Sequence, residues 1–298
     1  MRMDHYAHCT LCPRACGQNR HLHAGFCGAT DELRVARAAL HRWEEPCISG
    51  TNGSGAVFFC GCPLHCVFCQ NEEISGGGVG KAVSHARLGE IFLDLQHQGA
   101  QNINLVTAGH FAPDIVCAVR DAKSRGLHVP VIYNSGGYES ADTLKLFLGT
   151  VDVYLPDFKF MDPALARRYA RAENYGDVAK KALAEMFLQT GGIVFDDAGM
   201  VQRGMIVRHL VLPGGAEDSK RILSYLFETY GNRIFLSIMN QYTPAAKNLP
   251  AELRRPLAQK DYDAVLDFAV RIGVEQAFIQ EEGTADMEYI PAFDGTGV

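Results

Sequence analysis

Residues 56–69 read Ala-Val-Phe-Phe-Cys-Gly-Cys-Pro-Leu-His-Cys-Val-Phe-Cys. The first four form a short apolar run with β-branched and aromatic residues, the composition of a buried strand. Cys62, Cys66 and Cys69 follow at spacings of four and three. Those spacings also mark one face of a helix, where cysteine packs as a small hydrophobe. Gly61 and Pro63 flank the first cysteine, however, and a helix starting after Pro63 would hold Cys66 and Cys69 but not Cys62. Three thiols on a loop leaving a strand have the form of a metal clasp.

Outward from this stretch, short β-branched runs alternate with amphipathic segments. Strands are expected at 56–59, 102–106, 129–133, 151–155, 205–212, 233–239 and 275–280. Helices are expected at 85–98, 113–125, 140–148, 163–171, 175–190, 217–229 and 260–272, several of them ending near Gly99, Gly126, Gly149, Gly191 or Gly273. Such alternation predicts parallel βα units in an α/β fold, a partial (β/α)6-type barrel with its site at the C-terminal ends of the strands. The cysteine loop follows the first strand and so falls at that end. Residues 1–50, rich in Cys, His, Arg and Gly, read as a metal-binding extension, and residues 51–298 as the barrel. The acidic stretch at 280–289 reads as a solvated terminus. GGGVGKA (76–82) has Ser75 and Ala82 where a phosphate-binding loop needs Gly and Ser or Thr, and it follows no strand.

The chain has 298 residues, 47% apolar and 21% charged, enough for one large domain. A formal charge of −6 supplies no cationic field for nucleic acid or a membrane surface. No run approaches the ~20 apolar residues of a membrane span, and the first residues lack a signal-peptide core. The expectation is a cytoplasmic protein. Nine of the ten cysteines lie between positions 9 and 69, with Cys117 beyond. In a reducing compartment that clustering points to metal ligation or catalysis rather than disulfides. Three thiolates from one loop suit a [4Fe–4S] cluster, with one iron left open as at a catalytic metal site. Cys9, Cys12, Cys16 and Cys27 supply thiols for a second Fe–S cluster or a zinc ion.

CPLHCVFC resembles the CxxxCxxC motif of the radical S-adenosylmethionine (radical SAM) superfamily, with Phe68 before the last cysteine. The stretches 53–75, NLVTAGHF (104–111), VIYNSGGYES (131–140), VYLPDFKFMD (153–162), IVRHLVLPG (206–214) and NQYTPAAK (240–247), with the CxxCPRxCG opening, are similar to the pyruvate formate-lyase activating enzyme-like branch. The likeness runs through essentially the whole chain. It implies a [4Fe–4S] cluster on Cys62, Cys66 and Cys69, whose open iron is chelated by the amino and carboxylate groups of SAM. An electron from a flavodoxin- or ferredoxin-like donor would then cleave SAM to a 5′-deoxyadenosyl radical that takes hydrogen from a substrate. The branch implies a glycyl radical enzyme as that substrate. Another peptide or a small molecule is the alternative, and a non-enzymatic Fe–S or zinc protein a third. By the same likeness Phe68, Asn71, Ala108, Gly109, His110, Asn134, Ser135, Asp157, Lys159, Arg208 and Leu210 contact SAM. His110 stands where the family has an acid. Tyr133 stands where some activators have an acid that helps to hold a cation. Lys159 would meet the SAM carboxylate, and Leu210 the adenine.

Overall fold

A computed structural model describes residues 4–246, 248–280 and 291–298. In chain order the elements are β1 (Arg34–His41), α1 (Pro46–Ser49), β2 (Ser54–Phe59), α2 (Glu72–Ser75), β3 (Lys81–Ala82), α3 (His85–His97) and β4 (Ile103–Val106). A 3-10 turn (Gly109–Phe111) leads into α4 (Ala112–Ser124), followed by β5 (Val131–Ser135), α5 (Ala141–Leu146), β6 (Val153–Pro156), α6 (Pro163–Ala170) and α7 (Tyr175–Thr190). The rest is β7 (Val194–Phe195), β8 (Val201–Leu210), α8 (Ala216–Tyr230), β9 (Phe235–Met239), α9 (Gln259–Arg271) and β10 (Ala277–Ile279).

Strands β2, β4, β5, β6, β8, β9 and β10 pair side by side in that order, all parallel. This is the α/β sheet of a partial barrel, built as the alternation of strand and helix signals predicts. Local chemistry sets the ends of its helices: Ser84 Oγ accepts from Arg87 N at 3.1 Å to open α3, and Asp162 Oδ1 accepts from Ala164 N at 2.7 Å to open α6. Pleating separates successive strand residues onto two faces. Val131, Tyr133, Tyr154, Met205 and Val207 join the main core with the helices. Ile132, Val153, Leu155 and Ile206 pack instead with Cys47 and Ile48 of α1. Asn102, just before β4, ties α1 there by donating to Ile48 O at 2.7 Å and accepting from Ser54 Oγ at 2.6 Å. The helix α1 thus closes the start of the strands and leaves their C-terminal ends for chemistry.

One feature departs from the sequence reading. Within the stretch expected to be loop-like, β1 pairs antiparallel with β2, and β3 with β1. RVARAALH owes its strand to those partners, because its alanines and arginines carry little strand preference. Positions 281–289 of the acidic stretch lie outside the described residues. Beyond them, residues 291–298 return along β1, with Ala38 N donating to Thr296 O at 2.9 Å and Gly295 N to Ala36 O at 3.0 Å.

Candidate active site

The cysteine loop is irregular and is held from outside itself. Cys62 N donates to Cys27 O at 3.0 Å, and Val67 N to Tyr169 O at 2.9 Å. His65 bends the loop through a left-handed φ of 48° and its ring nitrogen pairs with Phe26 O at 2.9 Å. Arg14 clamps the loop by donating to Pro63 O at 2.8 Å and Ala170 O at 3.0 Å while stacking on Phe26. The three thiols are half-buried. Burial raises the pKa of all three, Cys69 to about 12, and Lys159 nearby works the other way. Such thiols become thiolates when a metal takes the proton's place. Among the described residues, no three His, Cys, Asp or Glu side chains are already gathered around one point as a single metal ion would need. A cubane does not require that, since each thiolate binds its own iron.

Lys159 and Asp157 follow β6 and form an ion pair. Burial opposes the lysine's charge, but Asp157 and then Cys66 outweigh it and hold Lys159 well above the ordinary lysine range. The pair is fixed by Tyr175 at the start of α7. Its hydroxyl accepts from Lys159 N at 2.9 Å and stands 2.8 Å from Gly136 O and 3.0 Å from Asp157 O. Gly136, after β5, lies so close to the loop that a Cβ there would come within 2.8 Å of Leu64 Cδ1. The turns after β5 and β6 therefore meet at one fully buried phenol, with the cysteine loop after β2 packed against Gly136.

After β4 the chain bends at Thr107 (φ 59°), an unusual conformation for a β-branched residue, and enters the 3-10 turn. His110 packs at the start of the cysteine loop: its buried ring bonds Cys60 O at 2.8 Å, and burial, aided by the Arg20 charge, holds it neutral down to about 3. Another acid stands nearby that the sequence reading overlooked. A Cβ at Gly109 would collide with the Glu139 carboxyl and with Tyr133 Oη. Glu139 is 8% exposed. Burial pushes its carboxyl up to about 7, with Tyr133 and Ser135 pulling the other way. Although it lies beside that carboxyl, Tyr133 Oη closes no hydrogen bond of normal geometry.

The remaining expected residues divide. Phe68 is buried edge-on to Phe160 and Tyr242, at 6.1 and 6.5 Å between ring centres. Leu210 lines a small cavity with Lys159, Phe160 and Tyr169. Ala108 is buried, Asn71 directly precedes α2 without a side-chain capping bond, and Asn134 and Ser135 end β5, where Ser135 Oγ accepts from Gly137 N. Arg208 is engaged elsewhere: it pairs with Glu44 and Glu45 from the turn before α1, with 2.7 Å from its Nε to Glu45 Oε1. Asn104 Nδ2 donates to Glu44 Oε1 at 2.8 Å. These two glutamates carried no motif.

The N-terminal cysteines gather around Arg20. Cys9, Cys12 and Cys27 are buried and Cys16 half-buried. A Cβ at Gly25 would touch the sulfurs of both Cys16 and Cys27, each at 3.6 Å. Arg20 is fully buried, donates to the carbonyls of Ala29, Thr30 and His110, and lies 3.8 Å from Cys9 Sγ.

Residues 56–194 match the family model described as "Radical SAM superfamily". That match takes in just under half of the chain, with the cysteine loop, the first four parallel strands and the turns that follow them. The donor set fits a [4Fe–4S] cluster and SAM: three thiols on one loop at the strands' C-terminal ends, with the half-buried Lys159 ammonium acting on them. Along most of its length the chain is similar to the uncharacterized protein MJ0674 of Methanocaldococcus jannaschii, 27% identical over 279 residues covering 91% of this chain and 76% of that protein. Among solved structures, Streptococcus suis SuiB bound to its precursor peptide SuiA superposes with a TM-score of 0.50 at 11% identity, over 75% of this chain and 47% of SuiB. HydG, a maturase of the [FeFe]-hydrogenase, gives 0.46 at 14% identity, over 77% and 52%. This chain spans about half the length of those structures, and the likeness to SuiB is one of fold.

Proposed function

We propose that the protein is a radical SAM enzyme, with Cys62, Cys66 and Cys69 holding a [4Fe–4S] cluster and SAM bound over it in the barrel mouth. The observation that carries this is the three-thiol loop at the C-terminal ends of the strands, with Lys159 half-buried beside it. When bound, cluster and SAM supply a 5′-deoxyadenosyl radical by one-electron cleavage. The protein's own part is placement. Lys159, kept charged by Asp157 and held by Tyr175, offers its ammonium to a carboxylate. Phe68 and Leu210 offer apolar surface to the adenine. Asn134 and Ser135 supply polar groups at the end of β5, and burial of the thiols excludes water.

The proposed substrate is a peptide segment of a glycyl radical enzyme, supported by the similarity of the sequence blocks to activating enzymes. A ferredoxin- or flavodoxin-like donor would supply the electron, in the cytoplasm. No described helix is long and apolar enough to cross a membrane. Cys9, Cys12, Cys16 and Cys27 are proposed to hold a second centre, an Fe–S cluster or zinc. Arg20 supports this, because a buried cation whose donors meet only carbonyls and a sulfur is stabilised by metal-bound thiolates around it.

Anaerobic iron–sulfur reconstitution with SAM and a low-potential reductant tests the reading. It should yield 5′-deoxyadenosine, and replacing Cys62, Cys66 and Cys69 by Ala should abolish the product. Unchanged product from that variant would refute the assignment. A glycyl EPR doublet appearing only with one co-purified partner would identify the substrate.

A further inference from the structure

We infer that the inner wall of the barrel, at Glu44 and Asn104, binds a positively charged nitrogen group of the substrate, such as a lysine or arginine side chain of the proposed peptide. The inference rests on the reading of the barrel mouth as the reaction site. Strand register places the residues on one wall. Asn104 pairs with Ile132, and Ile132 and Ile206 both pack on the plug made by α1. Arg208 lies two residues beyond Ile206 and pairs with Ser237, so both take that same face. Glu44 and Glu45 reach Arg208 from the turn before α1. A polar layer thus lies on the apolar plug, and the mouth lies beyond it: the backbone of Arg208 bridges that of Asp157, the partner of Lys159.

Charge and hydrogen bonding each leave this layer one cation short. Two carboxylates, with side chains 8% and 5% exposed, share the single guanidinium of Arg208. Burial works against the charge on Glu45, but Arg208 outweighs it and holds that carboxyl below its usual range. The neighbouring bases do not make up the difference. Burial holds His41 below the ordinary histidine range, and so neutral near pH 7, while Arg37 is paired with Asp294 and Lys159 with Asp157. A buried net charge is costly until a partner meets it.

Asn104 is the second and independent sign. It is fully buried, and its Nδ2 donates to Glu44 Oε1 at 2.8 Å. A carboxylate accepts only from a donor, so this bond fixes the amide and leaves Oδ1 as an acceptor without a partner in the protein. The free acceptor and the surplus charge therefore share one spot. A cationic group with several N–H donors answers both deficits, whereas a carboxylate or an apolar group answers neither. Arg208, with 13% of its side chain exposed, is where the layer meets solvent.

Three small compounds that share a chain and differ in head group test the site: n-butylammonium, n-butanol and butyrate. Their binding is followed by saturation-transfer NMR on iron-loaded protein with SAM, without oxygen. The wild type should bind n-butylammonium with a Kd of about 1 mM, fitting for a ligand of so few atoms, and roughly tenfold more tightly than the other two. Glu44→Gln keeps the shape of the layer and the pairing of Glu45 with Arg208 but removes the surplus charge. It should bring n-butylammonium to within about threefold of n-butanol. Asn104→Leu keeps the charge and removes the free acceptor, and it should weaken n-butylammonium by roughly 10-fold without admitting butyrate. Equal binding of the three compounds to the wild type overturns the inference. So does a preference for n-butylammonium that survives both substitutions, which would place the amine on the acidic surface of the protein. Absence of 5′-deoxyadenosine from reconstituted wild-type protein overturns the proposed function, and the substrate role with it, while the cation site is judged by the NMR alone.

Discussion

Tyr175→Phe removes one oxygen from the centre of the site. The phenol is fully buried, and its oxygen serves three backbone groups: it accepts from Lys159 N at 2.9 Å and lies 2.8 and 3.0 Å from Gly136 O and Asp157 O, of which its single proton can serve one at a time. Space around that oxygen is tight, since a Cβ at Gly137 would come within 2.8 Å of it. The variant therefore loses one donated and one accepted bond, about 1 kcal/mol each, and leaves the Lys159 N–H without a partner at a further 1–2 kcal/mol, or roughly 3 kcal/mol in all. With a denaturant slope near 3 kcal/mol/M, urea unfolding followed by far-UV circular dichroism should show the midpoint falling by about 1 M at unchanged slope. Tyr138→Phe is the control: that ring stacks on Tyr175, but its hydroxyl bonds only the exposed Asn174 side chain at 2.9 Å, and its loss should cost under about 1 kcal/mol. Equal midpoints for Tyr175→Phe and the wild type would show that the turns after β5 and β6 do not depend on this hydroxyl, and the account of the site's rigidity would fail.

Arg208→Ala strands two buried carboxylates and should cost about 3–5 kcal/mol by the same urea assay, most of it recovered when Glu44 and Glu45 are also changed to Gln. Gly109→Ala should destabilise by about 1–3 kcal/mol, and adding Tyr133→Phe, which removes one of the two colliding oxygens, should restore part of that. His209 gives a pH signature. Burial lowers it to about 4 despite its bond to Phe158 O at 2.7 Å, so below pH 6.5 the unfolded chain takes a proton that the folded one refuses, and stability falls with pH. At pH 5.5 this amounts to about 1.4 kcal/mol. Because Glu139, raised to about 7, runs in the opposite sense, the measurement is the difference between wild type and His209→Asn at pH 7.5 and 5.5. That difference should shrink at the lower pH, and a constant one would contradict the assignment.

The parallel strands and their helices were legible because hydrophobic period and helix-end glycines act within a dozen residues. The cysteine loop was legible because its spacing stands out locally, and Asp157 and Lys159 entered only through the family likeness of the block around them. Strand β1 was not, as its alanines take strand form only against β2. Glu139 was hidden for a different reason. Its relation to Gly109 joins the turns after two neighbouring strands, thirty positions apart, and nothing in VIYNSGGYES shows which way its acid turns. Arg208 is a ligand contact only by the family likeness, while the two glutamates that engage it sit some 160 residues earlier in a segment without a motif.

The segment 291–298 has a consequence for handling the protein. It hems the outer border of β1 through the bonds at Ala36 and Ala38, with Arg37 reaching Asp294 and Lys81 reaching Gly295 O and Val298 O. Bare strand borders recruit other strands. A protein clipped before residue 291 would keep its barrel and its cysteine loop yet expose a ready seam for another copy, so proteolysis there would register first as a change in mass by light scattering and only later, if at all, as lost helix signal.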